Sequence, residues 1–510
     1  MVNSSKHQTV RTAYQRSAGW RWIGLGILAL GLTMGAKAAI AQSFPIAENV
    51  AGICPADLAA EIEAIARQPT LQRGRLGILV ETLGTTAADR QVLYARDAER
   101  YFIPASNAKL FTTAAALKQL GPEFRIRTSV YGATHANGLT TLRVVGRGDP
   151  SLTDETLKIL AQQLYRQGIR RVSNLIGDEH YFPGSAVNPN WEWEDVQAGY
   201  GAPVNSLILN LNAMGLTLMP QALGQPLQVV WDNPAWADQW RVENRSRTVA
   251  PNESAYVEVG RDLSQPILRV SGQLVVGSRA ETAAISIPHP GEYFLRQFRQ
   301  VLDAAQIAVG QTALTATPIA DLPPELAATE SPPLSDLLGP TNQNSNNLYA
   351  EAILKSLGVQ ASVPPPLDAT EAGLTTVQTV LAKIGVDPES YALADGSGLS
   401  RHNLATPTAL VNTLQAMAGG PDASIYRASL SVAGLNGTLS NRFRSSPVAG
   451  QLQGKTGAVR GNAALSGYLT PPNYPPLVFS ILVNHINQPG RRLRQTIDQI
   501  VHLLAKLQPC

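Results

Sequence analysis

The chain reads Pro-Ala-Ser-Asn-Ala-Lys-Leu-Phe at residues 104–111. Helix-forming and apolar residues follow as far as Leu120, so the pattern predicts a helix that begins at Ala105 or Ser106. Residues three apart lie on one face of a helix, so the side chains of Ser106 and Lys109 can meet. A buried lysine loses its proton easily, and the neutral amine could then activate the Ser106 hydroxyl as a nucleophile.

Taken alone, this S-x-x-K spacing is a weak signal. Roughly one or two such spacings are expected by chance in a chain of this length, and a helix start with a solvated lysine is the alternative. The spacing occurs once here, because no other lysine has a serine three residues before it. Two motifs further along the chain strengthen it, Ser345-Asn346-Asn347 and Lys455-Thr456-Gly457.

Both later motifs carry groups that a serine–lysine nucleophile needs. The Ser345 hydroxyl can relay a proton between Lys109 and a leaving amine, and the Asn347 amide can bind a substrate carbonyl and fix the lysine. Lys455 and Thr456 can hold a substrate carboxylate, and the glycine after them lets a substrate backbone lie along a strand edge. Each motif alone is more often an ordinary loop or strand end. Together and in this order, the three motifs favour acyl-transfer chemistry.

The composition argues against several other classes of function. The net charge of +3 and the absence of a dense basic run give no indication of nucleic-acid binding. The seven histidines are scattered without H-E-x-x-H or another close ligand spacing, so no metal site is predicted. The sequence also lacks a G-x-S-x-G elbow, a phosphate-binding loop and a C-x-x-C pair.

The N-terminus resembles a secretory signal. Basic residues precede a short apolar core at residues 23–32, and Ala39-Ile40-Ala41 has the small-residue pattern of a cleavage site. We therefore expect residues 1–41 to be a signal peptide, with an uncleaved anchor as the alternative. The protein would be exported to the periplasm or another wall-facing compartment, either free or peripherally associated with the membrane.

The two cysteines, Cys54 and Cys510, lie near the mature N-terminus and at the last residue. An even pair in an exported chain favours a disulfide, which requires the two termini to be neighbours in the fold. Two unrelated free thiols are the alternative.

The order of predicted elements indicates an interrupted domain. Strand-like segments occur near both ends of the chain with helices between them, whereas residues 125–316 are rich in short β-like runs. The proline-rich residues 322–333 are predicted to be a loop. This pattern predicts one α/β hydrolytic domain that is interrupted by one or two mostly β insertions.

With these motifs in place, the chain resembles the low-molecular-mass class C penicillin-binding proteins, the D-alanyl-D-alanine carboxypeptidase/endopeptidase family of penicillin-binding protein 4. The resemblance covers nearly all of the mature chain. It is carried by the stretches FIPASNAKLFTTAAAL, GDPSL, NSNNLYAEAILK, LADGSGLSRHN, GLNGTLSNRF and GKTGAVRGNAALSGY.

The resemblance implies an α/β (α+β) fold, with a serine β-lactamase/DD-peptidase-like domain interrupted by inserted domains. The implied division is residues 42–127 and 317–510 for the peptidase domain, 128–212 and 283–316 for inserted domain II, and 213–282 for domain III nested within it.

The resemblance also assigns roles to the motif residues. Ser106 would be the acylated nucleophile, Lys109 the general base, and Ser345 the proton relay, with Asn347 binding substrate. The residues that would hold the substrate's terminal carboxylate and its backbone are Lys455, Thr456, Gly457 and Ala458. The backbone N–H groups of Ser106 and Ala458 would form the oxyanion hole.

A pocket for the diamino acid of the stem peptide is implied as well, with Asp195, Tyr200 and Arg401 at the matching positions. Asp195 would pair with the free ammonium and Arg401 with the free carboxylate of meso-diaminopimelate. The alternatives are a surface loop acid for Asp195 and a structural ion pair with Asp395 for Arg401.

Two residues depart from the usual motifs of the family. Asn346 stands where an aspartate is commonest, which we expect to matter little. Ala458 stands where a threonine or serine is usual, which removes one hydroxyl from the carboxylate clamp and leaves the balance between carboxypeptidase and endopeptidase open.

The predicted function is therefore a serine-type D-Ala-D-Ala carboxypeptidase, and also a DD-endopeptidase, that acts on peptidoglycan stem peptides and is acylated by β-lactams at Ser106. No cofactor and no metal are implied. The alternatives are a β-lactamase or esterase with the same nucleophile, and a non-catalytic wall-binding or penicillin-sensing protein.

Overall fold

The computed structural model describes residues 52–84, 86–134 and 140–510. The predicted signal peptide, residues 1–41, lies outside the described residues. The helices are α1 (Pro55–Ala66), α2 (Ala108–Leu120), α3 (Asp154–Arg166), α4 (Pro290–Ala304), α5 (Leu334–Asn342), α6 (Asn347–Ala361), α7 (Ala369–Lys383), α8 (Pro407–Ala418), α9 (Ala423–Ala428) and α10 (Gly490–Leu504).

The strands are more numerous and mostly short. They are β1 (Arg75–Thr82), β2 (Val92–Arg96), β3 (Arg127–Thr134), β4 (Thr140–Val145), β5 (Arg171–Asp178), β6 (Ala213–Met219), β7 (Gln228–Trp231), β8 (Arg241–Asn244), β9 (Arg247–Val249), β10 (Tyr256–Arg261), β11 (Ile267–Val275), β12 (Glu281–Ser286), β13 (Ala308–Thr315), β14 (Glu325–Glu330), β15 (Tyr391–Ala392), β16 (Leu404–Ala405), β17 (Ser431–Val432), β18 (Leu452–Val459), β19 (Asn462–Leu469) and β20 (Leu477–Asn484).

A six-stranded antiparallel sheet joins the two ends of the chain, in the order β17-β18-β19-β20-β1-β2. Its central strand β20 is buried throughout, and successive side chains of a strand point to opposite faces. Val478 and Leu482 pack into the core shared with α2 and α8, whereas Phe479 and Ile481 pack into the core shared with α1 and α10. The sheet is therefore enclosed by helices on both faces.

The chain leaves this unit after α2 and returns at α5. Between them, a five-stranded sheet of order β13-β5-β4-β3-β14 packs against α3 and α4. Two smaller sheets follow from residues 213–286, one of β12-β6-β7 and one of β8 to β11. The predicted α/β arrangement with a mostly β interruption agrees with these sheets.

Strand β14 differs from the sequence prediction. Residues 322–333 were expected to form a loop because of their prolines, but residues 325–330 pair with β3 at the edge of the insert's sheet. The prolines flank the strand and do not interrupt it, which an edge strand tolerates. Residues 325–330 therefore share a sheet with β3, β4, β5 and β13, although they lie within the predicted peptidase segment 317–510. Strand β12 likewise spans the predicted boundary at residue 282.

The first described residues lie beside the C-terminal residues. Cys54 immediately precedes α1, and it forms a disulfide with Cys510, with the two Cα atoms 5.8 Å apart. Next to this bond, Ile53 and Leu507 form a parallel bridge, and α1 packs on α10. Within the described part of the chain, no helix is long and apolar enough to cross a membrane.

Replacing Cys54 and Cys510 together by serine is expected to lower the free energy of unfolding by about 2–4 kcal/mol, because the bond constrains the unfolded chain. Denaturant unfolding of the two proteins measures the difference. A thiol reductant should move the wild type toward the double variant and leave the double variant unchanged. Equal stability of the oxidised wild type and the variant would contradict the expectation.

Candidate active site

Ser106 lies in a single 3₁₀ turn, Ala105–Asn107, that runs directly into α2. Lys109 is in the first turn of α2, and its Nζ donates to the Ser106 Oγ at 3.1 Å. The predicted helix start at Ala105 or Ser106 is thus a 3₁₀ turn, and the predicted meeting of the two side chains occurs. Ala105 has a left-handed backbone (φ 47°), so the turn is held in a conformation that non-glycine residues rarely adopt.

Two glycines allow other segments to approach this turn closely. A Cβ on Gly398, which has φ +80°, would lie 1.9 Å from the carbonyl oxygen of Ala105. A Cβ on Gly457 would lie 2.6 Å from the carbonyl oxygen of Pro104. Strand β18 and the loop after residue 395 can therefore both pack directly against the backbone of the turn that carries Ser106.

The Lys109 amine is completely buried and makes three hydrogen bonds. Besides Ser106 Oγ, its acceptors are Asn347 Oδ1 at 2.7 Å and the backbone oxygen of Ser397 at 2.6 Å. Burial lowers the pKa of Lys109 to about 7, against the opposing fields of Asp395 and Glu351. When neutral, the amine keeps two protons for Asn347 and Ser397, so its lone pair faces Ser106. This is the arrangement of a general base.

Ser345 and Lys455 form a second hydroxyl–amine pair. The Lys455 Nζ donates to the Ser345 Oγ at 2.8 Å and to the Thr456 backbone oxygen at 2.9 Å. Burial, and then repulsion from Lys109, hold the pKa of Lys455 well below its ordinary value. Ser345 has φ 58°, a left-handed conformation that persists only where the surroundings enforce it.

Asn346 and Asn347 begin α6 and have separate tasks. The Asn346 side chain is the N-cap, because its oxygen accepts from the backbone N–H of Tyr349. Asn347 accepts from Lys109 through Oδ1, and its Nδ2 donates to the backbone oxygen of Tyr200 at 2.9 Å. Asn346, in the middle of the motif, therefore has a structural role, since it caps the helix α6 that begins with Asn347.

Strand β18 provides an edge beside Ser106. It pairs with β19 along its whole length, but its pairing with β17 involves only Gln453 and Gly454. From Thr456 onward, this second side has no strand partner in the described structure, so an extended peptide can add to it. The Thr456 hydroxyl donates to Thr438 at 2.7 Å, and Ala458 is exposed.

The predicted diamino-acid pocket is assembled from two loops. Asp195 is 6% exposed, and its Oδ1 and Oδ2 accept from the Tyr200 hydroxyl at 3.0 Å and from Arg401 at 2.8 Å. Arg401 also pairs with Glu192 at 2.9 Å. The reading of Asp195 as a surface loop acid is wrong, because the side chain is buried. Arg401 pairs with Asp195 and Glu192, whereas Asp395 is engaged elsewhere.

Asp395 is fully buried and accepts four hydrogen bonds from uncharged groups. The donors are Trp191 Nε1, Asn403 Nδ2 and the backbone N–H groups of Gly398 and Ser400. This pattern is that of a carboxylate that organises a tight loop.

Sequence reasoning missed three members of the centre, Ser397, Asp395 and Glu351. The Ser397 contribution is a backbone carbonyl, which leaves no residue signature. Glu351 is buried in α6, its Oε1 accepts from the Ser397 N–H at 2.7 Å, and burial and Asp395 raise its pKa to about 7. The sequence did carry a signal for Glu351, because it is a lone acid in an apolar helix, one turn after Asn347 and so on the same face.

Across the described ranges, no group of three or more His, Cys, Asp or Glu side chains could hold a metal ion.

Comparison with known proteins finds a matching family and a similar fold. The model of the D-Ala-D-Ala carboxypeptidase 3 (S13) family matches residues 58–507. The D-alanyl-D-alanine carboxypeptidase of Actinomadura sp. strain R39 is 32% identical over 464 residues, covering 88% of this chain and 84% of that protein. The penicillin-sensitive carboxypeptidase A of Dictyostelium discoideum is 29% identical over 439 residues, covering 79% and 82%.

Among solved structures, penicillin-binding protein 4 of Haemophilus influenzae matches with a TM-score of 0.75 at 23% identity, covering 87% of this chain and 98% of that one. This similarity confirms the predicted fold class. The family match and the 32% identity confirm the resemblance that the three motifs indicated. The chain belongs to the D-Ala-D-Ala carboxypeptidase 3 (S13) family of serine peptidases.

Proposed function

We propose that this protein is a serine-type D-alanyl-D-alanine carboxypeptidase, and also a DD-endopeptidase, that acts on peptidoglycan stem peptides through an acyl-enzyme on Ser106. The observation that carries the proposal is the buried Lys109 amine, 3.1 Å from the Ser106 Oγ and oriented by two further acceptors. Membership of the family supports the same activity.

The proposed reaction begins when neutral Lys109 takes the Ser106 proton and the oxygen attacks the penultimate D-alanine carbonyl. The backbone N–H groups of Ser106 and Ala458 stabilise the oxyanion. The proton then passes through the Ser345 hydroxyl, which Lys455 holds, to the leaving amine. D-Alanine departs, and water attacks the ester with Lys109 again as base, which releases the shortened peptide and restores Ser106.

Lys455, Thr456 and the open edge of β18 would bind the end of the substrate. The Lys455 ammonium and the Thr456 hydroxyl suit a terminal carboxylate, and Gly457 allows the peptide backbone to lie close. Ala458 offers no hydroxyl, so this clamp is weaker than one with a threonine there. It leaves the balance between loss of D-alanine and cleavage of D-Ala–diaminopimelate cross-links open.

The pocket formed by Asp195, Tyr200 and Arg401 would take the free end of meso-diaminopimelate. That end carries an ammonium and a carboxylate, which complement Asp195 and Arg401 respectively. The pocket adjoins the catalytic centre, since the Tyr200 backbone oxygen accepts from Asn347. Without substrate, Asp195 and Arg401 form a salt bridge with each other, so neither side chain is a buried charge without a partner.

Export to the periplasm or another wall-facing compartment completes the proposal. Peptidoglycan lies outside the cytoplasm, and the disulfide between Cys54 and Cys510 suits an oxidising environment. The N-terminal residues 1–41 have the pattern of a signal peptide.

The first test is incubation of the mature protein with purified cross-linked muropeptides, beside Ser106→Ala, with mass spectrometry as the readout. The wild type should remove one alanine residue and convert dimers to monomers, and the variant should do neither. Absence of both changes, while labelled penicillin still acylates Ser106, would contradict the peptidase activity. Rapid release of hydrolysed penicillin would then identify a β-lactamase, and stable acylation a sensor.

The acylation rate should depend on the protonation of Lys109. Only the neutral amine can accept the Ser106 proton, and the pKa of Lys109 is lowered to about 7. The second-order rate constant for a fluorescent penicillin should therefore rise as pH increases through about 7 and level off above about pH 8. A midpoint near the ordinary pKa of lysine, or a flat profile, would contradict this assignment of the base.

Asp195→Asn tests the side-chain pocket. The amide keeps an acceptor for Tyr200 but loses the charge that would bind an ammonium, so kcat/KM for a diaminopimelate stem peptide should fall about 10- to 100-fold. Penicillin has no such side chain, and its acylation rate should stay within about threefold of wild type. The matched control is Glu194→Gln, which removes an exposed charge one residue away. Equal effects of the two variants would refute the assignment.

A further inference from the structure

The loop of residues 191–200 belongs to the insert, yet it contacts Asn347, which holds the Lys109 amine, and Asp395, which accepts from the backbone N–H next to the Ser397 carbonyl. Its Tyr200 carbonyl accepts from Asn347, whose Oδ1 holds the amine. Its Trp191 Nε1 donates to Asp395 at 2.9 Å. Trp191 is buried, so this bond is shielded from water. The loop that would recognise the substrate side chain is thus also joined to the surroundings of the base.

Asp395 reaches Lys109 through a single peptide unit. The carbonyl oxygen of Ser397 accepts from Lys109 at 2.6 Å, and the N–H of Gly398, on the other side of the same peptide bond, donates to Asp395 at 2.7 Å. A carboxylate on the N–H of a peptide strengthens its carbonyl as an acceptor, since hydrogen bonds in a chain polarise one another. The position of Asp395 therefore affects the orientation of the Lys109 amine, and its charge affects the pKa of that amine.

We propose that Trp191 is a positioning residue for the catalytic base: its indole N–H fixes Asp395, which holds the Ser397–Gly398 peptide against Lys109 and so directs the amine at Ser106. The inserted segment thereby supports the chemical step itself, in addition to any recognition of the stem peptide. This inference rests on the proposed acylation of Ser106, and it concerns every acylating agent, including those without a diamino acid.

The charged groups that face Lys109 come from three elements. Asp395 lies on the loop after β15, Glu351 on α6 and Lys455 on β18. Loss of the Trp191 N–H leaves the Asp395 charge less compensated, which stabilises the Lys109 ammonium and raises the pH at which acylation reaches half its maximum. Loss of the Asp395 charge has the opposite effect. The two partners of one hydrogen bond should therefore shift the pH profile in opposite directions.

The test is Trp191→Phe in the full mature chain, which keeps an aromatic ring and removes the donor. The matched control is Trp236→Phe, because Trp236 is also buried and its Nε1 has no hydrogen-bond partner among the described residues. Acylation by a fluorescent penicillin is followed as a function of pH. We expect Trp191→Phe to lower the plateau rate constant about tenfold and to raise the midpoint by about half a pH unit, and Trp236→Phe to match wild type.

Two results would overturn the proposal. One is a Trp191→Phe protein that acylates like wild type. The other is a lower rate with an unchanged midpoint, which indicates general loosening of the loop. Failure of wild type to cleave muropeptides, with these penicillin results intact, would refute the proposed peptidase activity and leave this inference supported.

Asp395→Asn provides the second variant. It should lower the midpoint by about half a pH unit, and an unchanged midpoint in folded protein would contradict the role of Asp395. Thermal unfolding and the final stoichiometry of penicillin labelling identify the folded fraction of each variant, and rate constants are compared for that fraction alone.

Discussion

A primary amine that is excluded from water must either lose its proton or be surrounded by acceptors, and Lys109 is placed where both conditions hold. Three acceptors match the three protons of the ammonium, and burial brings the pKa down to about 7. Each acceptor comes from a different part of the chain: Ser106 from the turn before α2, Asn347 from α6, and Ser397 from the loop after β15. The core must bring α2, α6 and that loop together before the Lys109 amine can have these three acceptors.

The inserted segment contributes to holding these parts of the chain around Lys109. The six-stranded sheet is built from β1, β2 and β17 to β20. The insert lies between α2 and α5 in the sequence, so it does not interrupt the hydrogen bonds of this sheet. Its loop nevertheless returns to the site through Trp191, Asp195 and Tyr200. Three contacts from one loop to Asp395, Arg401 and Asn347 make the insert part of the wall of the candidate site.

Local spacing and motif chemistry in the sequence predicted the contact between Ser106 and Lys109. Ser106 and Lys109 are three residues apart, so helix geometry alone brings them together, and the S-x-N and K-T-G motifs fall where their chemistry is needed. The sequence could not predict the Ser397 carbonyl, because every residue carries one, nor the Trp191–Asp395 bond, which joins residues 204 apart. Strand β14 was missed because flanking prolines resemble a loop when the partner strand is unknown.

The buried ionisable groups of this site come from α2, α6, β18 and the loop after β15. Lys109 and Lys455 are buried together and repel each other, whereas Asp395 and Glu351 favour the protonated form of Lys109. Two potential cations and two potential anions leave the buried volume close to neutral, so one proton can move within it without isolating a charge in a low dielectric. An active site with one lysine and no buried acids would lose this freedom, because its lone cation would be costly to form.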